Sequence, residues 1–180
     1  MNQTKTNVLI GLALIIFAAI LKVVTYPQSF NPIIAIALFS GAVITDRKMA
    51  FAMPLLAMFV SDLIFQVFNI APGFYGLEQI GNYAALLFIT VLGFGMKKIN
   101  VLTVAGFSIA SSLLFYALSN TNTFLFDTFN TYPNTFSGWV QCMTAGIPFI
   151  KLDVNLIFSA ILFGSHAVAY RAVKETKLAA

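Results

Sequence analysis

Charged residues are scarce in this chain of 180 residues, and their scarcity excludes the common soluble classes. Ten Lys and Arg residues and six Asp and Glu residues make up 9% of the sequence, whereas a soluble domain carries about 25% charged residues. Hydrophobic residues reach 59%, which also excludes a disordered chain, because such chains combine low hydrophobicity with high net charge. We therefore expect an all-α integral membrane protein.

Cysteine, histidine and catalytic motifs are also scarce. The single cysteine has no partner within the chain, so a disulfide scaffold is excluded. There is one histidine, and the sequence contains no P-loop, no metal-binding motif and no nucleophile motif. We therefore expect no enzymatic activity, no cofactor and no metal, so energised transport must depend on a partner ATPase or an ion gradient.

Six apolar segments are present, and we interpret each as a membrane span within a single domain, residues 1–180. A bilayer core about 30 Å thick requires about 20 helical residues. The predicted spans are 8–26, 31–45, 51–68, 82–96, 101–119 and 152–173, with a short interfacial helix at 138–149 on the outer side. The second and fourth spans are short for a full crossing.

Basic residues lie between these segments and predict their orientation. The N-terminus, the second and fourth connections and the C-terminus carry Lys or Arg, whereas residues 27–30, 69–81 and 120–138 carry none. Cytoplasmic loops collect Lys and Arg, so we predict a bacterial inner-membrane protein with both termini in the cytoplasm. Lys22 and Lys151 fall near outer span ends, where long side chains can reach the interface. The net charge of +4 does not indicate nucleic acid, because the basic residues form no continuous stripe.

Polar residues within the third span give the clearest indication of a functional site. Asp62, Gln66 and Asn69 are spaced so that a helix places them on one face. Asp62 is expected near the middle of the bilayer, where a charged side chain costs about 2.5–3.5 kcal/mol. We favour a wet, substrate-binding cavity on this face. The alternative is a buried carboxylate that cross-links helices through hydrogen bonds.

Further candidates cluster toward the expected outer side. Lys151 and Asp153 flank the entrance, and Asn155 lies on the same helix face as Lys151. The long outer connection is rich in aromatic residues, part of which we interpret as an ordinary interfacial belt, and stacking of a flat ligand on Tyr132 or Trp139 is the functional alternative. The complete set of candidate substrate-binding residues is Asp62, Gln66, Asn69, Asn31, Tyr132, Trp139, Lys151, Asp153 and Asn155.

Small residues within the spans indicate close helix packing. We interpret Ser108, Ser112 and Ser119 of the fifth span as packing residues with local hydrogen bonds. Ala37 and Gly41 form a small-x-x-x-small pair on the second span. For this pair, packing within the bundle is the default interpretation, and docking of a partner protein is the alternative.

Short motifs between about residues 31 and 164 resemble those of an uncharacterised family of six-span bacterial membrane proteins. They are Asn31-Pro32, Ala37-Leu38-Phe39-Ser40-Gly41-Ala42, Pro54 with Ser61-Asp62, Tyr132-Pro133 with Gly138, Gly146-Ile147-Pro148-Phe149 and Leu162-Phe163-Gly164. That family is in turn similar to the substrate-binding S components of energy-coupling-factor (ECF) transporters. S components are small six-helix proteins that capture a vitamin or a metal ion on the outer side.

The resemblance implies a partner complex, a transmembrane coupling protein with two ATPases. In S components an Ala-x-x-x-Ala coupling pattern belongs on the first helix, whereas the nearest match here, Ala37 with Gly41, lies on the second. We therefore expect a protein that binds a small vitamin-like or metal-related molecule on the outer side for uptake. Two alternatives remain, a solitary ion-coupled transporter in which Asp62 titrates, and a non-transporting structural or assembly protein.

Overall fold

A computed structural model describes residues 3–26, 31–127 and 130–178 of the chain. Within this part, seven α-helices and one short 3-10 helix are present and no β-strand occurs, so the all-α prediction is confirmed there. In chain order they are α1 (Gln3–Val24), α2 (Ile33–Val43), α3 (Arg47–Val67), α4 (Leu77–Phe94), α5 (Val101–Leu125), α6 (Phe136–Gly146), the 3-10 helix (Ile147–Phe149) and α7 (Leu152–Leu178). The predicted outer connection at 27–30 lies outside the described residues.

Side-chain caps set where two of the long helices begin. The Asp46 carboxylate accepts a hydrogen bond of 3.1 Å from the Met49 amide, and α3 begins directly after it at Arg47. This start is earlier than the predicted residue 51, and Pro54 lies in the interior of the helix. The Asn100 side chain caps α5 in the same way by accepting from the Thr103 amide at 2.9 Å.

Helices α4 and α5 both extend further than predicted at the place where the beginning of α4 faces the end of α5. The Asn122 amide donates to the Glu78 carbonyl at 2.5 Å, and the Thr123 hydroxyl donates to the Glu78 carboxylate at 2.6 Å. These bonds join the end of α5 to the beginning of α4. Because the polar side chains near the end of α5 have hydrogen-bond partners on α4, α5 continues to Leu125. The outer connection is therefore shorter than expected.

Helix α2 lies at the centre of the bundle. It packs against α3, α4, α5 and α7, and all of residues 35–41 are buried. A helix that is apolar on every side belongs in a core. With 11 residues, α2 is about 16 Å long at 1.5 Å per residue, about half of a bilayer core. The predicted span 31–45 is therefore a short core helix.

Four helical segments of the described chain are long and apolar enough to cross a membrane, not the six predicted. They are α3, α4, α5 and Leu152–Tyr170 of α7. The apolar segments Ile15–Val24 and Ile33–Val43 are shorter. Large apolar side chains cover the outside of the bundle, and Val101 and Leu102 are each 85% exposed. Together these features indicate a membrane protein, because soluble proteins rarely expose such surfaces.

The two ends of the bundle differ in charge. The Arg47 guanidinium lies 3.9 Å from the centre of the Phe94 ring, so the beginning of α3 meets the end of α4. We call this the basic end, because Arg47, Lys48, Lys97 and Lys98 are exposed there. The opposite end, formed by residues 68–76, 126–127, 130–135 and 147–151, is called the cavity end.

Candidate functional site

A cavity of about 320 Å³ lies between the helices at the cavity end. Ile34 of α2, Met58 of α3, Leu86 of α4 and Phe115 of α5 form apolar walls. The polar lining consists of Asn31, Ser112, Tyr116, Ser119, Asn120 and Lys151. Ligand sites are typically cavities of about 300–1,000 Å³ with mostly apolar walls and a few polar groups. This cavity fits that description.

One face of α5 supplies most of the polar lining. Ser112, Tyr116, Ser119 and Asn120 follow helical spacing and therefore share that face. The sequence interpretation of the serines as packing residues stands beside a further role for Ser112 and Ser119, which also line the cavity. It fits Ser108, which is fully buried between helices. A small side chain permits close packing and equally leaves room for a cavity, so sequence alone does not separate the two roles.

Several of these polar groups already have partners within the protein. The Tyr116 hydroxyl donates to the Met143 carbonyl and so connects α5 to α6. The Asn120 amide donates to the Tyr116 carbonyl at 2.9 Å, and the Ser119 hydroxyl donates to the same carbonyl at 3.4 Å. These bonds fix the orientation of the side chains on the α5 wall.

Asn155 of α7 lies behind this wall and holds Ser112. Its Nδ2 atom donates to the Ser112 and Ser111 hydroxyl oxygens at 2.9 Å each and to the Ser108 carbonyl at 2.8 Å. The Asn155 side chain is buried and does not line the cavity. Asn155 is therefore connected to the cavity only through its hydrogen bond to Ser112. The buried Asn155 Oδ1 and Ser159 Oγ atoms have no hydrogen-bond partner in the described structure.

Lys151 provides the charge of the cavity. It lies between the 3-10 helix and α7, is partly buried and lines the wall. Among the described residues, no carboxylate lies within 4.0 Å of its ammonium, and the side chain forms no hydrogen bond. Asp153, predicted to flank the same entrance, is exposed and does not line the cavity. The positive end of the α7 dipole lies beside Lys151 and adds to the positive potential.

Asp62 lies in a separate buried network. Its Oδ1 atom is 2.5 Å from the Lys22 ammonium, and its Oδ2 atom accepts from Gln79 Nε2 at 2.8 Å and from the Tyr83 hydroxyl at 2.9 Å. The residue is 2% exposed and does not line the cavity. These bonds join α1, α3 and α4. The arrangement matches the alternative interpretation, a buried carboxylate that cross-links helices.

The positions of Lys22 and Asp62 also differ from prediction. Lys22 was expected to reach the interface, but its ammonium turns to Asp62 and lies 5.1 Å from the centre of the Phe65 ring. Asp62 was expected near the middle of the bilayer. It lies five residues before the end of α3 at Val67, which is about 7.5 Å by helical rise. The earlier beginning of α3 accounts for this shift toward the cavity end.

The polar face predicted for α3 breaks up after Asp62. The Gln66 side-chain oxygen Oε1 accepts from the Gly73 and Phe74 backbone amides at 3.2 and 3.4 Å, while the Gln79 side-chain amide donates to the Gly73 carbonyl at 2.9 Å. Gln66 therefore holds the connection between α3 and α4. Asn69 lies beyond the end of α3, is exposed and has a φ of 52°. Neither Gln66 nor Asn69 lines the cavity.

The predicted aromatic residues lie near α6. The Trp139 indole donates to the Thr121 hydroxyl at 3.1 Å, and its ring stacks on Phe136 with centroids 5.7 Å apart. The Tyr132 amide donates to the Asp127 carboxylate at 2.9 Å. Neither Tyr132 nor Trp139 lines the cavity, so the structure separates them from Lys151 and Asn31.

Ala37 and Gly41 pack inside the bundle. Ala37 is fully buried, and a Cβ atom placed on Gly41 would lie 2.1 Å from the Thr90 carbonyl oxygen and 3.1 Å from the Gly93 Cα atom. Glycine at residue 41 therefore permits the close approach of α2 and α4. Packing within the bundle is therefore favoured over docking of a partner protein, because both residues are buried in the chain.

Two titratable groups near the cavity end are perturbed by burial. Burial raises the pKa of the Cys142 thiol, and the nearby Asp127 charge raises it further. Burial likewise raises the pKa of Tyr75, which accepts a hydrogen bond of 3.1 Å from Asn82. Within residues 3–26, 31–127 and 130–178, no three His, Cys, Asp or Glu side chains come together to hold a metal ion.

Sequence reasoning missed Gln79 and Tyr83. They lie one helical turn apart on α4, both bond to Asp62, and their spacing was a usable signal. Of the nine predicted substrate-binding residues, only Asn31 and Lys151 line the cavity.

A family model covers nearly the entire chain and matches residues 2–177. The chain belongs to DUF6580, a family of unknown function. No curated protein and no solved structure matches the chain. For this DUF6580 protein, the cavity and its lining are therefore the basis for inferring function.

Proposed function

We propose that this protein binds a small molecule in the cavity on the outer side of a bacterial inner membrane and serves in its uptake. The observation that carries the proposal is a cavity of about 320 Å³ that contains Lys151 without a charge partner among the described residues. A partly buried, unpaired ammonium is costly in a protein. A bound ligand offsets that cost.

The charge distribution supports an orientation in which the cavity receives its ligand from the outer side of the membrane. Exposed Lys and Arg residues collect at the basic end, and such residues favour the cytoplasmic side. With the basic end in the cytoplasm, the cavity end faces outward and both termini are cytoplasmic. The proposed topology has six helical segments, and α2 with its flanking residues carries the chain inside the bundle from Asn31 at the cavity to Asp46 at the basic end.

The likeness to S components supports a role as the binding subunit of a larger transporter. The sequence contains no nucleotide-binding motif, so a coupling protein with ATPases is the proposed source of energy. Ala37 and Gly41 are enclosed, so the proposed partner contacts the exposed apolar surface of other helices. A solitary transporter that uses Asp62 for ion coupling has less support, because Asp62 lies outside the cavity.

A structural or assembly protein is the second candidate function. The observation that favours it is the Asp62 network, which cross-links α1, α3 and α4 and leaves both carboxylate oxygens bonded. In this alternative the polar groups hold helices together and the cavity binds nothing. The two candidates therefore differ in whether a ligand is retained.

Ligand enrichment from a bacterial metabolite extract tests the proposal. Purified protein is incubated with the extract, washed and denatured, and the released small molecules are identified by mass spectrometry. Ser119→Trp places a large side chain in the cavity, and Ser165→Trp makes the same change at an exposed residue of α7 outside it. Melting temperatures confirm that both variants fold.

The proposed function predicts a compound enriched by the wild type and by Ser165→Trp but lost from Ser119→Trp. Equal enrichment by all three proteins, or none by any of them, would contradict ligand binding in this cavity. Either result would favour the structural candidate.

A further inference from the structure

We infer that the ligand of this cavity is a small carboxylate with an apolar body, whose carboxylate binds Lys151. The inference rests on the proposed function and specifies its substrate class. It is carried by the charge of the lining, by the balance of hydrogen-bond donors and acceptors, and by the apolar walls.

The charge of the lining is positive and uncompensated. Lys151 is the only ionisable residue among the described lining residues apart from the weakly acidic Tyr116, and no Asp or Glu contributes to the wall. The Lys22–Asp62 pair is already matched, and neither of its residues lines the cavity. An anionic ligand supplies the missing partner for Lys151, whereas a cation would be repelled.

The unused polar groups of the lining include donors well suited to an anion. The Asn31 Oδ1 atom accepts from the Ile33 amide at 3.0 Å, and its Nδ2 atom has no acceptor in the described part of the chain. The Ser112 oxygen accepts from Asn155, and no described group accepts the Ser112 proton. Lys151 adds three further donors. An ionised carboxylate only accepts hydrogen bonds, so it complements these groups.

The apolar walls determine the rest of the ligand. Ile34, Met58, Leu86 and Phe115 face the same cavity. Its volume of about 320 Å³ equals that of roughly ten water molecules at about 30 Å³ each. A body of about six to ten carbon atoms therefore fits. Such a carboxylate reaches the cavity either from solution or, as a fatty acid, from the membrane.

Equilibrium binding of matched acids and amides tests the inference. The probes are hexanoate and benzoate, with hexanamide and benzamide as uncharged controls of nearly the same shape. Each is dialysed against the purified full-length wild type, Lys151→Met and Lys151→Arg. Lys151→Met removes an unpaired charge, so this variant is expected to melt no lower than the wild type, which separates loss of binding from loss of folding.

The wild type is expected to bind each acid at least tenfold more tightly than its amide. Lys151→Met should abolish that preference, and Lys151→Arg should retain it. Decanoate presented in detergent micelles identifies the source. Tighter binding of decanoate than of hexanoate assigns a membrane fatty acid, and the reverse order assigns a soluble acid.

Equal binding of acids and amides, or acid binding unchanged in Lys151→Met, would overturn the inference. If no probe binds, the charge of the compound enriched from the metabolite extract decides whether the carboxylate inference holds. An enriched neutral or cationic compound overturns the carboxylate inference while the proposed function stands, and an enriched carboxylate supports both. If the extract yields no compound and no probe binds, the proposed function itself fails.

Discussion

Replacing Asp62 with leucine is expected to destabilise the protein strongly, because the carboxylate joins three helices. The substitution removes the 2.5 Å contact to the Lys22 ammonium and the hydrogen bonds from Gln79 and Tyr83. Gln79 retains its bond to the Gly73 carbonyl. Lys22 retains only the weak contacts to Met58 sulfur and the Phe65 ring.

The magnitude follows from the unpaired charge that remains. The Lys22 side chain is 15% exposed and that of Asp62 is 3% exposed, so solvent screens the pair weakly. Removing one partner of such a pair costs about 3–5 kcal/mol. At about 2–4 °C per kcal/mol for a chain of this size, Asp62→Leu should lower the melting temperature by roughly 6–20 °C.

The double variant Lys22→Met/Asp62→Leu tests whether the charge is the cause. Replacing both members of a buried ion pair by apolar residues is often neutral or stabilising. Here Tyr83 loses its acceptor, which costs about 1–3 kcal/mol. The double variant should therefore melt above Asp62→Leu and below the wild type.

Melting of the detergent-purified variants, followed by the loss of monodisperse protein on heating, provides the measurement. Asp153→Leu is the matched control, because it removes an exposed carboxylate and should cost about 1 kcal/mol or less. If Asp62→Leu melted at or above the wild-type temperature and the double variant gained nothing, the cross-linking role would be refuted. A functional role of the kind expected from the sequence would then be favoured.

Three further predictions concern packing, burial and topology. Gly41→Ala places a Cβ atom 2.1 Å from the Thr90 carbonyl oxygen, so it should lower the melting temperature by several degrees. Gly106→Ala is the control and should leave the melting temperature unchanged, because nothing lies within 4 Å of its Cβ. Equal melting temperatures of the two variants would contradict the close approach of α2 and α4. Cys142 is buried and has a raised thiol pKa, so at about pH 8 a water-soluble maleimide should label it at least tenfold more slowly than the exposed Ser137→Cys made in a Cys142→Ala protein. Equal rates would show that the packing of α6 against α5 does not shield the thiol. A reporter fused to the C-terminus should be active in the cytoplasm, and activity only on the outer side would refute the proposed orientation.

Composition and periodicity predicted the helical class and the approximate position of most helices. They failed where tertiary contacts override hydropathy. The contacts of Asn122 and Thr123 with Glu78 extend α5 through a polar sequence. The sequence of α2 is apolar because the helix lies at the centre of the bundle, not because it contacts lipid. Hydropathy does not distinguish a buried apolar helix from a lipid-exposed one.

The candidate site was harder to predict than the fold, because it depends on pairs of residues far apart in sequence. Asp62 is an ionisable residue in an apolar helix, and its importance was evident from the sequence alone. Its partner Lys22 is 40 residues away, and no spacing rule connects them. Lys151 lacks such a partner among the described residues, and that difference between two lysines appears only once the helices are packed.

Native mass spectrometry of the protein purified from the membranes of the expressing bacterium tests ligand binding in the cavity most directly. The wild type and Ser165→Trp are predicted to carry one small molecule per chain, and Ser119→Trp is predicted to appear at its bare mass. An adduct retained equally by Ser119→Trp, or a bare mass for all three proteins after incubation with the enriched compound, would contradict the account.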